Sequence, residues 1–300
     1  MNGTHPDWFY LKLYAEPPLQ NQLLIEYVYP VLHSYSQQEA LKEWFFVRYS
    51  DRSEAREGSN ADAASLEEKA YRATDDGHHL RIRLRSGSLQ LKTVQRALMA
   101  ALECALRAGY CQRWCEAFYI PEVYRYGGLA GIELAHEIFH LNSQDSIVLL
   151  LNSYSGIVHA ERVMQLGDEL LQCLGLDADA RAHLYFRRFQ WFASTYRFDA
   201  SDYDHLEQLY LTKRGRLDET FDDNGLAKPY SYTLAQSGER LIRIGAAFAL
   251  LEREGKLTFP RIDIFAALHH MHCNRAGFSS FKELSTLYCM YRWLKGQGYS

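Results

Sequence analysis

The sequence predicts an α+β fold, with a ferredoxin-like (split βαβ) part over residues 1–128 and a largely helical part over 129–300 packed on it as one domain. Two observations carry that reading. Over the first 128 residues, short aromatic and β-branched segments alternate with amphipathic ones in the order β-α-β-β-α-β. From residue 129 onward apolar residues recur at helical spacing, and no repeat, low-complexity tract or flexible linker separates the two parts.

Taken in order, "WFYLKLY" (8–14) reads as the first strand. "PPLQNQLLIEYVYPVLHSYS" (17–36) opens on proline, which suits a first helical turn, and then spaces Leu19, Leu23, Leu24, Tyr27 and Val31 as one helix face. "EWFFVRYS" (43–50) is the second strand. Residues 51–77 are charged and small, and read as a surface excursion containing a short helix. "HHLRIRLR" (78–85) is the third strand, and "LKTVQRALMAALECALRAGY" (91–110) is a long amphipathic helix stopped by Gly109. "RWCEAFYIPEVYRYGG" (113–128) supplies a fourth strand and a turn. Helices are then expected over 129–141, 146–173, 177–198, 201–211, 234–254, 260–274 and 278–296, with a loop at 214–231.

Composition narrows the function classes. At 300 residues, 47% hydrophobic and 23% charged, the chain can bury a large core. A net charge of −4 argues against a general nucleic-acid binder. The start "MNGTHPDWFY" lacks the pattern of a secretory signal, and the longest apolar run, "SIVLLL", is too short to span a bilayer, so a cytoplasmic protein without membrane contact is expected. Six cysteines without CxxC spacing read as reduced thiols.

The third strand poses the main chemical question. Side chains alternate faces along a strand, so Arg81, Arg83 and Arg85 share one face while Leu80, Ile82 and Leu84 line the other. Like charges about 7 Å apart repel by roughly 2 kcal/mol at an effective dielectric of about 20, so water, carboxylates or an anionic ligand must offset them. Arg48, on the second strand, is expected near this triplet, with Arg125 entering from the turn after the fourth. Together they would hold a carboxylate ligand bidentately, with Glu122 orienting one guanidinium. The alternative is that Arg125 and Glu122 merely pair at a surface. His78 and His79 are expected on the surface.

The segment "AALHHMHCNRAGF" (266–278) places His269, His270 and His272 beside Cys273. Helical spacing puts His269 and His272 on one face and His270 elsewhere, and no second ligand pair accompanies them, which disfavours a metal site. Core packing and general acid–base work both stay open, the latter because imidazole titrates near neutrality. A GxSxG elbow is absent. "RYGGLAG" (125–131) lacks the spacing of a phosphate loop and reads as a strand-to-helix turn.

In combination, "WFYLKLY", "WFFVRYSD", "HHLRIRLR", "YIPEVYRYGG", the pair Asp145–Ser146 and "HHMHCNRAGF" resemble, in order over nearly the whole chain, the thiopeptide-type bacteriocin biosynthesis proteins. That family is shared with the C-terminal glutamate-elimination domain of lantibiotic dehydratases. The resemblance implies a free-standing lyase that expels glutamate from glutamylated Ser or Thr of a ribosomally made precursor peptide bearing a leader, leaving dehydroalanine or dehydrobutyrine. It implies a separate tRNA-dependent glutamylating protein as partner, no cofactor, no metal and no direct contact with nucleic acid, and it is compatible with a homodimer. Residue by residue, it assigns catalysis to Arg48, Arg81, Arg83, Arg125 and His270, with His272 a rival for the histidine's role. Arg85, Glu122 and His272 are the further substrate-binding candidates. Two other readings stand beside it: a pyridine synthase joining two dehydroalanines in a [4+2] cycloaddition with leader release, and a non-catalytic subunit that binds the precursor for a dehydratase complex.

Overall fold

The computed structural model describes residues 8–50, 77–153, 160–221 and 234–296. The expected excursion at 51–77 therefore lies almost wholly outside the described residues, as does most of the loop expected at 214–231. The chain divides into two compact units, Met1–Ile120 and Pro121–Ser300.

The first unit carries β1 (Trp8–Tyr14), α1 (Pro17–Gln22), a wide π-helical turn (Leu23–Val28), α2 (Tyr29–Gln37), β2 (Glu43–Ser50), β3 (His78–Arg85), α3 (Ser88–Arg107) and β4 (Arg113–Ala117). The strands form one antiparallel sheet in the order β2-β3-β1-β4, the split βαβ topology expected from the element order. One face is apolar: Phe9, Leu11 and Leu13 stand opposite Leu84, Ile82 and Leu80, with Trp44 and Phe46 beside them, all buried. Leu23, Leu24, Val28 and Leu32, and on α3 Leu91, Val94, Leu98 and Leu102, bury the helices' apolar stripes. Arg48 reaches Gln20 and Asn21 of α1, so α1 lies on this same apolar face.

The second unit is helical: α4 (Gly128–Leu151), α5 (Ala160–Cys173), α6 (Ala178–Thr195), α7 (Ala200–Thr220), α8 (Leu234–Arg253), α9 (Arg261–Arg275) and α10 (Ser280–Gly296). The break expected at 142–145 does not occur. Asn142, Ser143, Asp145 and Ser146 are buried within α4, and Ser146 returns its hydroxyl to the Asn142 carbonyl at 2.7 Å, so these polar residues face the core rather than a turn. Likewise α7 runs on to Thr220, past the expected end at 211, opened by a capping box between Asp199 and Asp202.

Two buried polar networks hold this unit. In the first, Asp168 of α5 accepts from Arg181 Nε (2.9 Å) and Tyr185 Oη (2.7 Å) of α6, and from Gln172 Nε2 (2.7 Å). In the second, His272 of α9 takes Asn142 Nδ2 on its Nδ1 at 2.9 Å and donates Nε2–H to the Val163 carbonyl at 2.9 Å, which defines its neutral tautomer. Arg275 donates to Ser143 Oγ (3.0 Å) and Asn142 Oδ1 (3.3 Å) and lies over the Phe139 ring. Gly167 lets α5 approach closely, since a Cβ there would stand 3.0 Å from ring atoms of both His269 and His272.

Removing one partner of a buried ion pair leaves an uncompensated charge, so Asp168→Ala is expected to destabilise the helical unit by about 3–5 kcal/mol in denaturant unfolding. A second expectation concerns pH. Burial lowers His272 from 6.5 to about 4 and, with the neighbouring charges of His272, Arg188 and His270, His269 to about 3. The unfolded chain therefore binds these protons first, and stability is lost as pH falls below about 6.5. Asp145 runs the other way: burial raises its carboxyl from 3.8 to about 7, so its contribution weakens as pH rises through that window. Asp145→Asn should accordingly make stability climb more steeply between pH 4 and 7 than in the wild type, as followed by urea midpoints; an equal or shallower slope would contradict this assignment.

Candidate functional site

Each unit carries one group of the sequence-predicted residues. In the sheet, register settles which arginines stand together. Arg81, Arg83 and Arg85 lie opposite Val47, Phe45 and Glu43 of β2 and opposite Lys12, Tyr10 and Trp8 of β1, on the face away from the leucines. Arg48 does not join them. It pairs in register with Leu80, so its side chain projects from the opposite face, where it donates to Gln20 Oε1 (3.2 Å) and Asn21 Oδ1 (2.7 Å). Burial lowers its guanidinium to about 10, which leaves it charged at neutral pH.

Aromatic rings interleave the triplet. The Arg81 guanidinium lies 3.5 Å from the Tyr49 ring centroid, and that of Arg83 sits among Tyr119 (4.6 Å), Tyr10 (5.0 Å) and Phe45 (5.3 Å). Arg85 stands 5.5 Å from Trp8 and pairs with Glu43 at 3.3 Å. Cation–π contacts contribute about 0.5–2 kcal/mol each, comparable with the repulsion between neighbouring guanidiniums. A guanidinium stacked on a ring hydrogen-bonds through its edge, as Arg85 does to Glu43. His79, expected on the surface, is instead fully buried on this same face: its Nδ1 donates to the Gly77 carbonyl at 3.2 Å and its Nε2 accepts from Arg81 Nε at 3.1 Å. The same two-residue period that unites the arginines also brings His79 under Arg81.

In the helical unit, Arg125 belongs to the turn between Pro121 and α4. It donates to Glu122 Oε2 at 3.0 Å, and both side chains are about half-exposed. Gly127 and Gly128 both adopt positive φ (92° and 85°), which opens α4, and a Cβ on Gly127 would meet Ile264 Cδ1 at 2.8 Å. Thr258 donates to the Tyr124 carbonyl at 2.5 Å, so the Arg125 turn is seated against the segment that leads into α9.

The three histidines of α9 have different surroundings. His269 is buried against Tyr185, and His272 is buried with both nitrogens engaged. His270 keeps 29% of its side chain exposed, and its Nδ1 lies 2.8 and 3.0 Å from the two carboxylate oxygens of Glu283, at the start of α10. An ionised carboxylate only accepts, so Nδ1 donates to Glu283, and in the neutral ring Nε2 is then the nitrogen that carries the lone pair. Glu283 is nearly fully buried and lies 3.9 Å from Arg188 of α6. Burial lowers the Arg188 guanidinium, Glu283 pulls it the other way, and the charge of Arg125 adds to the lowering. Arg125, Arg188, Glu283 and His270 thus form one electrostatic group. Neither Glu283 nor Arg188 was singled out in the sequence: they lie 13 and 82 positions from His270, a separation that no local spacing rule spans. Burial pushes the neighbouring Cys273 thiol well up, away from a nucleophilic thiolate. Among the described residues no cluster of three His, Cys, Asp or Glu side chains could hold a metal ion, and no helix is long and apolar enough to cross a membrane.

Residues 8–55 and 66–294 match the family described as lantibiotic biosynthesis dehydratase C-term. No curated protein matches the chain in sequence. Among solved structures, the chain is similar to the tRNA-dependent lantibiotic dehydratase MibB from Microbispora sp. 107891, with 22% identity and a TM-score of 0.64, covering 99% of this chain and 28% of that one. It is also similar to TsrL (15% identity, TM-score 0.64, 97% and 95% covered) and to the pyridine synthase TbtD from thiomuracin biosynthesis (15%, 0.62, 98% and 100%). The chain therefore spans 28% of the length of the dehydratase and nearly the full length of the other two. At these identities the likeness to the solved structures establishes a shared fold, whereas the match to the family runs through both units, from β1 to α10. The chain belongs to the lantibiotic biosynthesis dehydratase C-terminal family.

Proposed function

We propose that the protein is a lyase that eliminates glutamate from glutamylated Ser or Thr residues of a ribosomally made precursor peptide, the glutamyl ester being installed by a separate tRNA-dependent glutamylating protein. The observation that carries this reading is the His270–Glu283 pair. It is the one imidazole of "HHMHC" that retains exposed surface, and a buried carboxylate holds its Nδ1–H so that Nε2 is the available base.

The chemistry needs a base and anion-binding groups. His270 Nε2 takes the α-proton of the esterified residue, the Cα–H electron pair becomes the Cα=Cβ bond, and the Cβ–O bond breaks to release glutamate as its carboxylate. Negative charge develops on the adjacent peptide carbonyl in the transition state, and preorganised guanidinium donors stabilise such charge. Arg81 and Arg83, each beside aromatic rings, suit carboxylate or enolate binding in the first unit, and Arg125 is a guanidinium donor of the second. Glu283 acts through His270 as a positioning residue. Arg48, held by Gln20 and Asn21, serves the packing of α1 on the sheet in this reading, and His272 serves the α4–α9 contact.

The coverage of both TbtD and this chain supports a second reading, a pyridine synthase that joins two dehydroalanines in a formal [4+2] cycloaddition. Mass spectrometry separates the two. Incubated with a glutamylated precursor, the protein should release glutamate without forming a ring; ring closure and leader release from a peptide already carrying dehydroalanines would favour the synthase, and binding without either change would favour a presenting subunit.

His270→Ala should lower elimination by about 10²–10⁴-fold, the usual contribution of a positioned acid–base group, while the glutamyl ester accumulates. Arg83→Ala should cost about ten- to a hundredfold, from one lost charge-assisted contact. Unimpaired turnover in both folded variants would overturn these roles. For Glu283→Gln we expect a lower kcat with little change in KM, since the amide still fills the space but no longer fixes the imidazole tautomer.

A further inference from the structure

Between α6 and α9 lies a cavity of about 260 Å³ that the reaction above does not use. Its walls are two helix faces: Leu184, Arg187, Arg188 and Trp191 on α6, spaced i, i+3, i+4 and i+7, and Ile262, Asp263, Ala266 and Ala267 on α9. Leu184, Ile262 and the two alanines give it an apolar floor, and the alanines leave the room. Arg187 and Asp263 cancel each other's charge at 2.9 Å.

Arg188 is different. Its Nε is buried without a hydrogen-bond partner among the described residues, and its guanidinium stacks 4.8 Å from Trp191 and 5.1 Å from Phe192. Its carboxylate neighbour, Glu283, stands at 3.9 Å, beyond hydrogen-bonding distance, and is committed to His270 at 2.8 Å. A guanidinium so placed, half-buried and incompletely neutralised beside an apolar hollow, is matched by a ligand with one carboxylate on a short hydrocarbon body. The volume suits a single amino-acid residue, being at or below the lower end of small-molecule sites. Along α9 the stripe continues from Ala266 to His270, one helical turn further on, or about 5.4 Å.

Resting on the reading that this unit receives a modified peptide, we propose that the α6–α9 cavity is a binding subsite for one carboxylate-bearing amino-acid residue, its carboxylate on Arg188 and its methylenes against Leu184, Ile262 and Ala266. Two sources share that chemistry, an acidic residue of the peptide and a free amino acid. Trp191, half-exposed at the mouth, is the reporter.

The test is a titration of the full chain, ¹⁵N-labelled at its tryptophans, with N-acetyl-glutamate N-methylamide, with free L-glutamate, and with N-acetyl-glutamine N-methylamide. The Trp191 indole resonance is identified by its loss in Trp191→Phe. It should shift saturably with a carboxylate ligand and at about ten- to a hundredfold weaker affinity with the neutral amide, the loss expected for one charge-assisted hydrogen bond. Tighter binding of the blocked residue assigns the subsite to the peptide, and tighter binding of free glutamate assigns it to an amino acid; either supports it. Arg188→Gln should weaken binding to the level of the amide, and Ala266→Leu, which fills the cavity while leaving every charge in place, should abolish it. No shift with either carboxylate, equal binding of the amide, or undiminished binding in a folded Ala266→Leu protein would overturn the proposal. The readout needs no catalysis, so failed elimination with an intact titration would count against the lyase reading alone.

Discussion

Everything chemically distinctive in the helical unit depends on how α9 is anchored. His272 and Arg275, one turn apart, spend their polar atoms on Asn142, Ser143 and the Val163 carbonyl, so one side of the helix is fixed to α4 and α5. Two residues of α-helix turn through about 200°, so anchoring His272 inward necessarily directs His270 outward. The anchoring groups are buried, and leaving any of them unpaired would cost its full desolvation penalty; this makes the orientation of α9 sharply defined rather than one of several packings. Gly167 completes the arrangement by letting α5 come close enough for the Val163 carbonyl to be reached.

On that fixed helix, the outward side gathers charged neighbours. Glu283 arrives from α10 to orient His270, Arg188 arrives from α6, and the turn holding Arg125 is seated against the segment leading into α9. Glu283 thus links the imidazole to Arg188, and the charge of Arg125 acts on Arg188 in turn. The sheet of the first unit solves a similar problem differently. There the guanidiniums are spaced by aromatic rings, and Glu43 pairs with Arg85 at the end of the row. Stacking neutralises little charge, so it holds the arginines in place while leaving them cationic.

The two-residue period of "HHLRIRLR" was enough to place Arg81, Arg83 and Arg85 on one face, and the order of elements was enough for the split βαβ sheet, because strand alternation and connection order are properties of the chain itself. Likewise the differing faces of His270 and His272 follow from helical geometry. The residues alone put Arg48 beside the triplet, and the structure places it on the opposite face. That depends on the pairing register between β2 and β3, where a shift of one residue would exchange the faces, and only the paired strands settle it. His79 lies buried rather than on the surface for a related reason: a histidine at a strand start carries no local sign of being buried between Tyr14 and Tyr49.

The break expected at 142–145 does not form because Asn, Ser and Asp in sequence resemble a turn, whereas a core that offers them partners, or in the case of Asp145 raises its carboxyl to about 7, keeps them in a helix. By itself, then, the sequence determined the architecture, the arginine face of β3 and the distinctness of the α9 histidines, all of which arise from short-range periodicity. The tertiary structure decided the partners: Glu283 and Arg188 around His270, Gln20 and Asn21 around Arg48, and the hollow between α6 and α9. Those contacts join residues far apart in the chain, and their geometry exists only after the helices have packed.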